Sequence, residues 1–264
     1  MDKIRVGVFG AGGRMGSTVC RAVHDDPALE LVAAVDPYHS GLEVSSVAGV
    51  PGCDVQVAGN PDVFVDAGVD VAIDFTEATA SRQNLIFLAR HGIHAVVGTT
   101  GFSDADIEMF ERDFTTSNCI IAPNFAIGAL LMMKFAALAA PYFETAEIIE
   151  FHHDGKIDAP SGTATLTAQR MAEASGDWAP DPTTVTVYEG ARGGHGADGI
   201  PIHSVRMRGM VAHQEVVLGT TGQTLVIRHD SIDRTSFMPG VLMATKAIAD
   251  RPGVTVGLDV LLSL

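Results

Sequence analysis

The chain has 264 residues, of which 47% are hydrophobic, and a formal net charge of -15. That length and composition suit one large globular domain or two smaller ones with a substantial core. So acidic a chain is a poor partner for nucleic acid or an anionic membrane surface, and an anionic ligand would have to be held by a local cluster of cations.

The first strand, Ile4 to Phe9, begins almost at the N-terminus and leaves no room for a basic region followed by a hydrophobic signal segment. It runs into Gly10-Ala11-Gly12-Gly13-Arg14-Met15-Gly16, a variant of the dinucleotide fingerprint with Gly10, Gly13 and Gly16 at three-residue spacing. Glycines so placed permit a tight turn, close approach of a pyrophosphate and packing of the next helix, expected over Arg14 to His24. A second strand, Leu29 to Val35, ends at Asp36, twenty residues after Gly16, where a ribose-binding acid belongs. A carboxylate there repels a 2'-phosphate, which favours NADH over NADPH, and Arg14 offers a cation that partly offsets it.

The alternation continues in the manner of a doubly wound α/β fold. Val71 to Phe75, His94 to Val97 and Cys119 to Ala122 read as buried strands, separated by helices that run to about His91 and Thr116. Ser103 and Asp106 form a capping box for the second of these helices. Gly10, Asp36, Thr76, Gly98-Thr99-Thr100-Gly101 and Ala122-Pro123-Asn124-Phe125 all fall at carboxyl ends of strands, the edge at which open parallel sheets bind ligands.

After a helix from about Ile127 to Ala140 the style of the chain changes. Ala146 to His152, Val185 to Tyr188, Ile202 to Met207, Val211 to Leu218 and Thr224 to His229 are strand candidates, with a hairpin turn at Thr220 to Gln223. They describe a second, α+β domain with a mixed or antiparallel sheet over 126–236. Gly190 to Gly199 reads as a surface loop or a lid. The final segment, helical over Pro239 to Asp250, then Thr255-Val256 and a leucine-rich tail, returns to the first domain, which is thus 1–125 with 237–264. A sheet with so little helix cover exposes one face, and burial against another subunit is the simplest remedy. Cys20, Cys53 and Cys119 show no paired spacing and fit buried thiols in a reducing, cytoplasmic compartment.

Polar groups concentrate in Glu147 to Ala164. Alternation along the strand sends His152 and His153 to opposite faces, Asp154-Gly155 turns the chain so that Lys156 can swing back, and Pro160 stops the extended segment. Ser161 or Gly162 caps the helix that follows Thr163, and its free N–H groups form an anion site. Histidine and lysine cations beside a helix N-terminus suit a carboxylate or phosphate. The adjacent histidines would also suit a metal, but no cysteine or third histidine follows at ligand spacing and Lys156 would repel a cation, so no metal is assigned.

The string Glu150-Phe-His-His-Asp-Gly-Lys-Ile-Asp-Ala-Pro-Ser-Gly-Thr163 closely resembles the signature of the 4-hydroxy-tetrahydrodipicolinate reductase (dihydrodipicolinate reductase) family. Gly10 to Gly16, Asp74-Phe-Thr76, Gly98 to Phe102 and Ala122 to Phe125 also resemble family motifs, so the likeness spans the chain. It implies that His152 is the acid/base residue, that Lys156 donates a proton, and that His153, Ser161, Gly162 and Thr163 meet the carboxylates of a small dicarboxylate substrate. It implies cofactor contacts at Gly10 to Met15, Asp36, Gly98 to Thr100 and Ala122 to Phe125, and a homotetramer built through the second domain. Two readings compete with it: another NAD(P)-dependent oxidoreductase of a small carboxylate or semialdehyde, and a non-catalytic nucleotide sensor.

Overall fold

The computed structural model describes residues 2–262. Two compact units divide the chain, one formed by Met1–Phe125 with Phe237–Leu264 and the other by Ala126–Ser236. In chain order the elements are β1 (Ile4–Phe9), α1 (Arg14–Asp25), β2 (Leu29–Val35), α2 (Val44–Val47), β3 (Val57–Ala58), α3 (Asp62–Asp66), β4 (Val71–Asp74), α4 (Ala78–His91), β5 (His94–Val97), α5 (Asp104–Asp113) and β6 (Cys119–Ile121). There follow α6 (Ile127–Ala139), β7 (Thr145–His152), α7 (Gly162–Ala174), β8 (Gly194–His195), β9 (Pro201–Arg206), β10 (Ala212–Thr220), β11 (Gln223–Ser231), α8 (Met238–Ala247) and β12 (Val254–Val256).

The first unit is built on a seven-stranded sheet in the order β12-β6-β5-β4-β1-β2-β3, and every neighbouring pair in it is parallel. Its central strands are short apolar runs with no polar alternation: all of Val71–Asp74 and all of Cys119–Ile121 are buried. That is the pattern of strands covered on both faces. Chain order reverses where β4 lies beside β1, so the loops after these two strands meet at a topological switch point. A Cβ on Gly10 would stand 3.1 Å from Cγ2 of Thr76. Phe9, Phe64, Leu85, Leu88 and Phe110 belong to the buried core, with the Phe9 and Phe64 rings 4.6 Å apart.

The stretch between Asp36 and Val71, to which the sequence assigns no element, holds α2, β3 and α3; these run four, two and five residues, too short for a periodic signal. At α5 the Ser103 side chain accepts from the Asp106 N–H at 3.2 Å, the Asp106 carboxylate accepts in return from the Ser103 N–H at 2.9 Å, and Arg82 of α4 grips the same carboxylate at 2.6 and 2.8 Å. Ser103→Ala is expected to lower stability by about 1 kcal/mol through loss of this cap; a urea midpoint equal to that of wild type would show the cap to be idle. At the other end of the unit, Lys246 of α8 reaches Asp26 at 2.5 Å and β12 pairs with β6.

The second unit holds a five-stranded mixed sheet in the order β11-β10-β7-β9-β8. β10 runs antiparallel to β7 and β11, β9 runs parallel to β7, and β8 closes the edge antiparallel to β9. The hairpin falls where its turn residues place it, with Thr220 opposite Gln223 and Gly222 at φ 81°. Alternation decides the faces: Ile148, Glu150, Val216 and Leu218 are buried, whereas Ile149, Phe151 and Val217 between them are half-buried. In α7, Ala164, Thr167, Ala168 and Met171 recur at helical spacing and form its buried side.

Val185 to Tyr188, a strand candidate by composition, forms no strand: Val185, Val187 and Tyr188 are 78 to 81% exposed and no neighbour offers a ladder to pair with. The glycine-rich segment 190–199 carries β8 and a 3-10 turn and extends the sheet edge. Cys20, Cys53 and Cys119 are free and buried, as their spacing predicts. Among the described residues no helix is long and apolar enough to cross a membrane. The last two residues of the leucine-rich tail, 263 and 264, lie outside the described residues.

Candidate active site

In the first unit the glycine loop is drawn tight by its own backbone. Gly10 N–H donates to Val35 O at 2.7 Å, Ala11 N–H to the same oxygen at 3.3 Å, and Gly13 N–H to Gly10 O at 2.9 Å. Gly10 has φ 67°, in the left-handed region, and a Cβ on Gly16 would lie 1.9 Å from Gly10 O. These two positions need glycine on steric grounds. Gly13 stands at the N-cap of α1 with no side-chain cap, so the start of that twelve-residue helix keeps N–H groups for an anion. Arg14 is exposed and Met15 half-buried at this helix start.

Asp36 lies at the end of β2 against the loop. Its carboxylate accepts from Gly12 N–H at 2.9 Å and Tyr38 N–H at 3.0 Å, and His39 Nδ1 stands 3.1 Å from Oδ1. Burial pushes the Asp36 carboxyl up, but the bonds from His39, Gly12 and Tyr38 outweigh it and leave the group below its ordinary value, hence ionised. An ionised acid beside a glycine turn and an uncapped helix start fits the ribose and pyrophosphate of a dinucleotide.

The other predicted contacts line the same edge. Thr99 Oγ donates to Thr76 O at 2.8 Å, and Asp74, fully buried, accepts from Thr76 N–H, Thr76 Oγ and Asn84 Nδ2 at 2.7, 2.7 and 2.8 Å. A Cβ on Gly98 would stand 2.0 Å from the Phe75 ring, and that ring in turn sits 5.6 Å from Phe125. Ala122 is buried and donates to Val97 O at 2.9 Å, Asn124 is half-buried, and Thr100 and Pro123 are exposed.

In the second unit the site grows from the end of β7. Glu150 and His152 share one face of the strand, and His152 Nδ1 lies 2.5 Å from Glu150 Oε2. The Glu150 side chain is fully buried and is gripped by Arg206 of β9, Nη1 to Oε2 and Nη2 to Oε1, both at 2.8 Å. Its Oε1 also accepts from Ser161 N–H at 3.1 Å. Burial opposes the charge, but bonds from Arg206, Ser204 and His152 hold the carboxyl below its usual value. An ionised Glu150 makes Nδ1–H of His152 the donor, which leaves Nε2 to take up or release a proton. Burial lowers the His152 pKa despite Glu150, and the charges of Lys156 and Arg206 push the same way, so the ring is neutral at neutral pH.

The loop after β7 is held from two sides. Lys156 N–H donates to His153 O at 3.2 Å, and Lys156 Nζ is held by both oxygens of Asp158 at 2.7 Å. Arg206 Nη2 donates to Asp158 O at 2.7 Å, so the residue that holds Glu150 also anchors the segment carrying Lys156. Ser161 is the N-cap of α7, its hydroxyl accepting from Ala164 N–H at 3.2 Å. The cap falls on Ser161, one of the two residues the sequence offers for it, and the hydroxyl, though buried, keeps its own O–H to donate. Gly162 is exposed with open space around it, Thr163 is half-buried, and His153 is exposed near Gly155.

Sequence reasoning missed four contributors: Glu150 as partner of His152, Arg206, Asp158 and His39. Glu150 was within reach, since a carboxylate two positions before a histidine on one strand shares its face. Arg206 was not, because it arrives from a strand 56 residues away. Among the described residues no group of three or more His, Cys, Asp or Glu side chains could hold a metal.

A glycine loop with an ionised acid beside it, at the switch point of a parallel sheet, fits the class of nicotinamide-dependent oxidoreductases. The chain belongs to the dihydrodipicolinate reductase family: the model of the family's N-terminal part matches residues 4–125 and that of its C-terminal part residues 128–262. Proteins named 4-hydroxy-tetrahydrodipicolinate reductase from Mycobacterium sp. (strain KMS) and Streptomyces avermitilis are 49% and 47% identical, covering 99% and 100% of this chain and 100% of their own lengths. A solved structure described as dipicolinate-bound dihydrodipicolinate reductase from Paenisporosarcina sp. TG-14 superposes with TM-score 0.84 at 40% identity, covering 97% of this chain and 98% of that one.

Proposed function

We propose that this chain reduces 4-hydroxy-tetrahydrodipicolinate to tetrahydrodipicolinate in the diaminopimelate route to lysine, with NADH preferred and NADPH accepted. The observation that carries the reading is the Glu150–His152–Arg206 cluster beside Lys156 and the start of α7, in a chain of this family. The first unit is the dinucleotide-binding domain and the second binds substrate. A relative that holds dipicolinate supports a dicarboxylate ligand.

A nicotinamide, when bound, would supply a hydride for ring carbon 4 once the 4-hydroxyl has left as water. The chain supplies charge and protons. His153, Gly162 and Thr163 hold the substrate carboxylates, aided by the N-terminus of α7. Lys156, its ammonium paired with Asp158, delivers a proton to carbon 3 of the resulting enamine, and its field stabilises electron density as the hydride arrives. His152, fixed through Nδ1, serves as acid or base at Nε2. The ionised Asp36 accepts ribose hydroxyls and disfavours a 2'-phosphate, the basis of the NADH preference.

A semialdehyde oxidoreductase would call for a nucleophilic thiol, and Cys119 is fully buried with its thiol pushed well up by desolvation. A nucleotide sensor acting on DNA sits poorly with a net charge of -15. The open face of the second sheet carries half-exposed Val226 beside half-buried Val217, Ile149 and Phe151, and a homotetramer formed through it, in the cytoplasm, completes the reading. Turnover of 4-hydroxy-tetrahydrodipicolinate followed by loss of reduced-nicotinamide absorbance tests the activity, with NADH and NADPH assayed in parallel. A higher kcat/KM with NADPH would overturn the cofactor preference.

A further inference from the structure

The turn after β2 places a side chain at the ribose acid that the fingerprint does not account for. The Asp36 carboxylate is met by two backbone N–H groups and by one side chain, the imidazole of His39, with Nδ1 3.1 Å from Oδ1. The same ring lies over Gly12: a Cβ there would fall 2.2 Å from Nδ1 and 2.5 Å from Cε1. Glycine at 12 and histidine at 39 are therefore a matched pair, and the loop has room for one of the two side chains. The turn that carries His39 is closed by His39 N–H to Asp36 O at 3.1 Å and Leu42 N–H to His39 O at 3.2 Å, and Gly41 N–H ties it to Val57 O at 2.8 Å. Tyr38 next to it is 93% exposed and leaves the acid to His39.

We propose that His39 is a cofactor-specificity residue, which together with Asp36 sets how strongly this chain discriminates between NADH and NADPH. The inference rests on the reading that the glycine loop binds the dinucleotide. A carboxylate at the end of β2 accepts the hydroxyls of an unmodified ribose and repels a 2'-phosphate. An imidazole beside that carboxylate brings a ring N–H that can be donated to a phosphate oxygen at the same place. The side chain is 38% exposed, so it is accessible to a nucleotide while still seated on the loop. Because Gly12 carries no side chain, the His39 ring occupies the space over the loop, and it joins Arg14 as a basic group for the phosphate.

Equilibrium titration of the protein with NADH and with NADPH, read by nicotinamide fluorescence without substrate, tests the proposal on His39→Ala, His39→Arg and Gly12→Ala. His39→Ala is expected to weaken NADPH by about fivefold and NADH by no more than about twofold, the scale of one half-exposed ion pair. His39→Arg, a permanent cation with a phosphate-matched fork, is expected to improve NADPH relative to NADH by about tenfold. Gly12→Ala displaces the imidazole and should shift the ratio in the direction of His39→Ala. Equal changes for both nucleotides, or an unchanged ratio in all three variants, would mean that His39 only supports the turn. Wild type that binds neither nucleotide would sink the dinucleotide reading itself, and the proposal with it.

Discussion

Arg206→Met is expected to be the most destabilising single change in the second unit, at about 3 kcal/mol or more, because it leaves a buried carboxylate without its bidentate partner. Glu150 is fully buried and Arg206 supplies two of its contacts, both at 2.8 Å. The pH dependence has a definite sign. In wild type the Glu150 carboxyl is held below its unfolded value, so its contribution to stability is present above that value and is lost as pH falls through the folded one. Without the guanidinium, burial dominates and the carboxyl rises above its unfolded value, so the variant is penalised when pH is high enough to ionise it. The gap between wild type and variant should therefore narrow on acidification toward pH ~4, near the ordinary carboxylate range. Thermal unfolding at several pH values checks this, and a gap that widens on acidification would contradict it. The same substitution frees Asp158 O, which Arg206 also binds, so the segment carrying Lys156 loses an anchor and kcat should fall on the order of 10²-fold.

The second large effect is expected at Lys156. Lys156→Ala should lower kcat by roughly 10² to 10⁴-fold, the range of a positioned proton donor, and leave the dissociation constant of NADH unchanged. Lys156 is held at Nζ by both oxygens of Asp158, an exposed carboxylate whose own acidity is raised by that contact. Asp158→Asn should consequently cost far less than Lys156→Ala, since the ammonium survives the loss of its partner. Single-turnover kinetics beside a nucleotide titration separate the two roles. A Lys156→Ala enzyme with unchanged kcat and a raised KM would reduce the lysine to a substrate-holding group.

The parts legible in the chain were those written locally. Three glycines at three-residue spacing after a hydrophobic strand determine both the turn and its place on the sheet, because a Cβ at Gly16 collides with Gly10 O. The hairpin at Thr220 to Gln223 and the capping box at Ser103 were readable for the same reason: each is settled within four residues. What escaped was non-local. Arg206 reaches Glu150 only because β9 lies parallel to β7, with Ser204 paired to Glu150 and Arg206 to His152. One local contact escaped as well, that of Lys156 with Asp158 two residues later, because the composition of a loop does not fix which way a lysine swings. Val185 to Tyr188 has the composition of a strand without an edge to pair with, which no local pattern reveals.

The central claim is that hydride goes to ring carbon 4 and that a proton donated by the protein goes to carbon 3. It is tested most directly by running the reaction with nicotinamide deuterated at its transferable position, and separately in heavy water, with the product read by NMR. Deuterium from the cofactor at carbon 4, solvent deuterium at carbon 3, and loss of both signals in Lys156→Ala are expected. Cofactor deuterium absent from the product, or oxidation of the cofactor at the wild-type rate by the Lys156→Ala enzyme, would contradict the assignment.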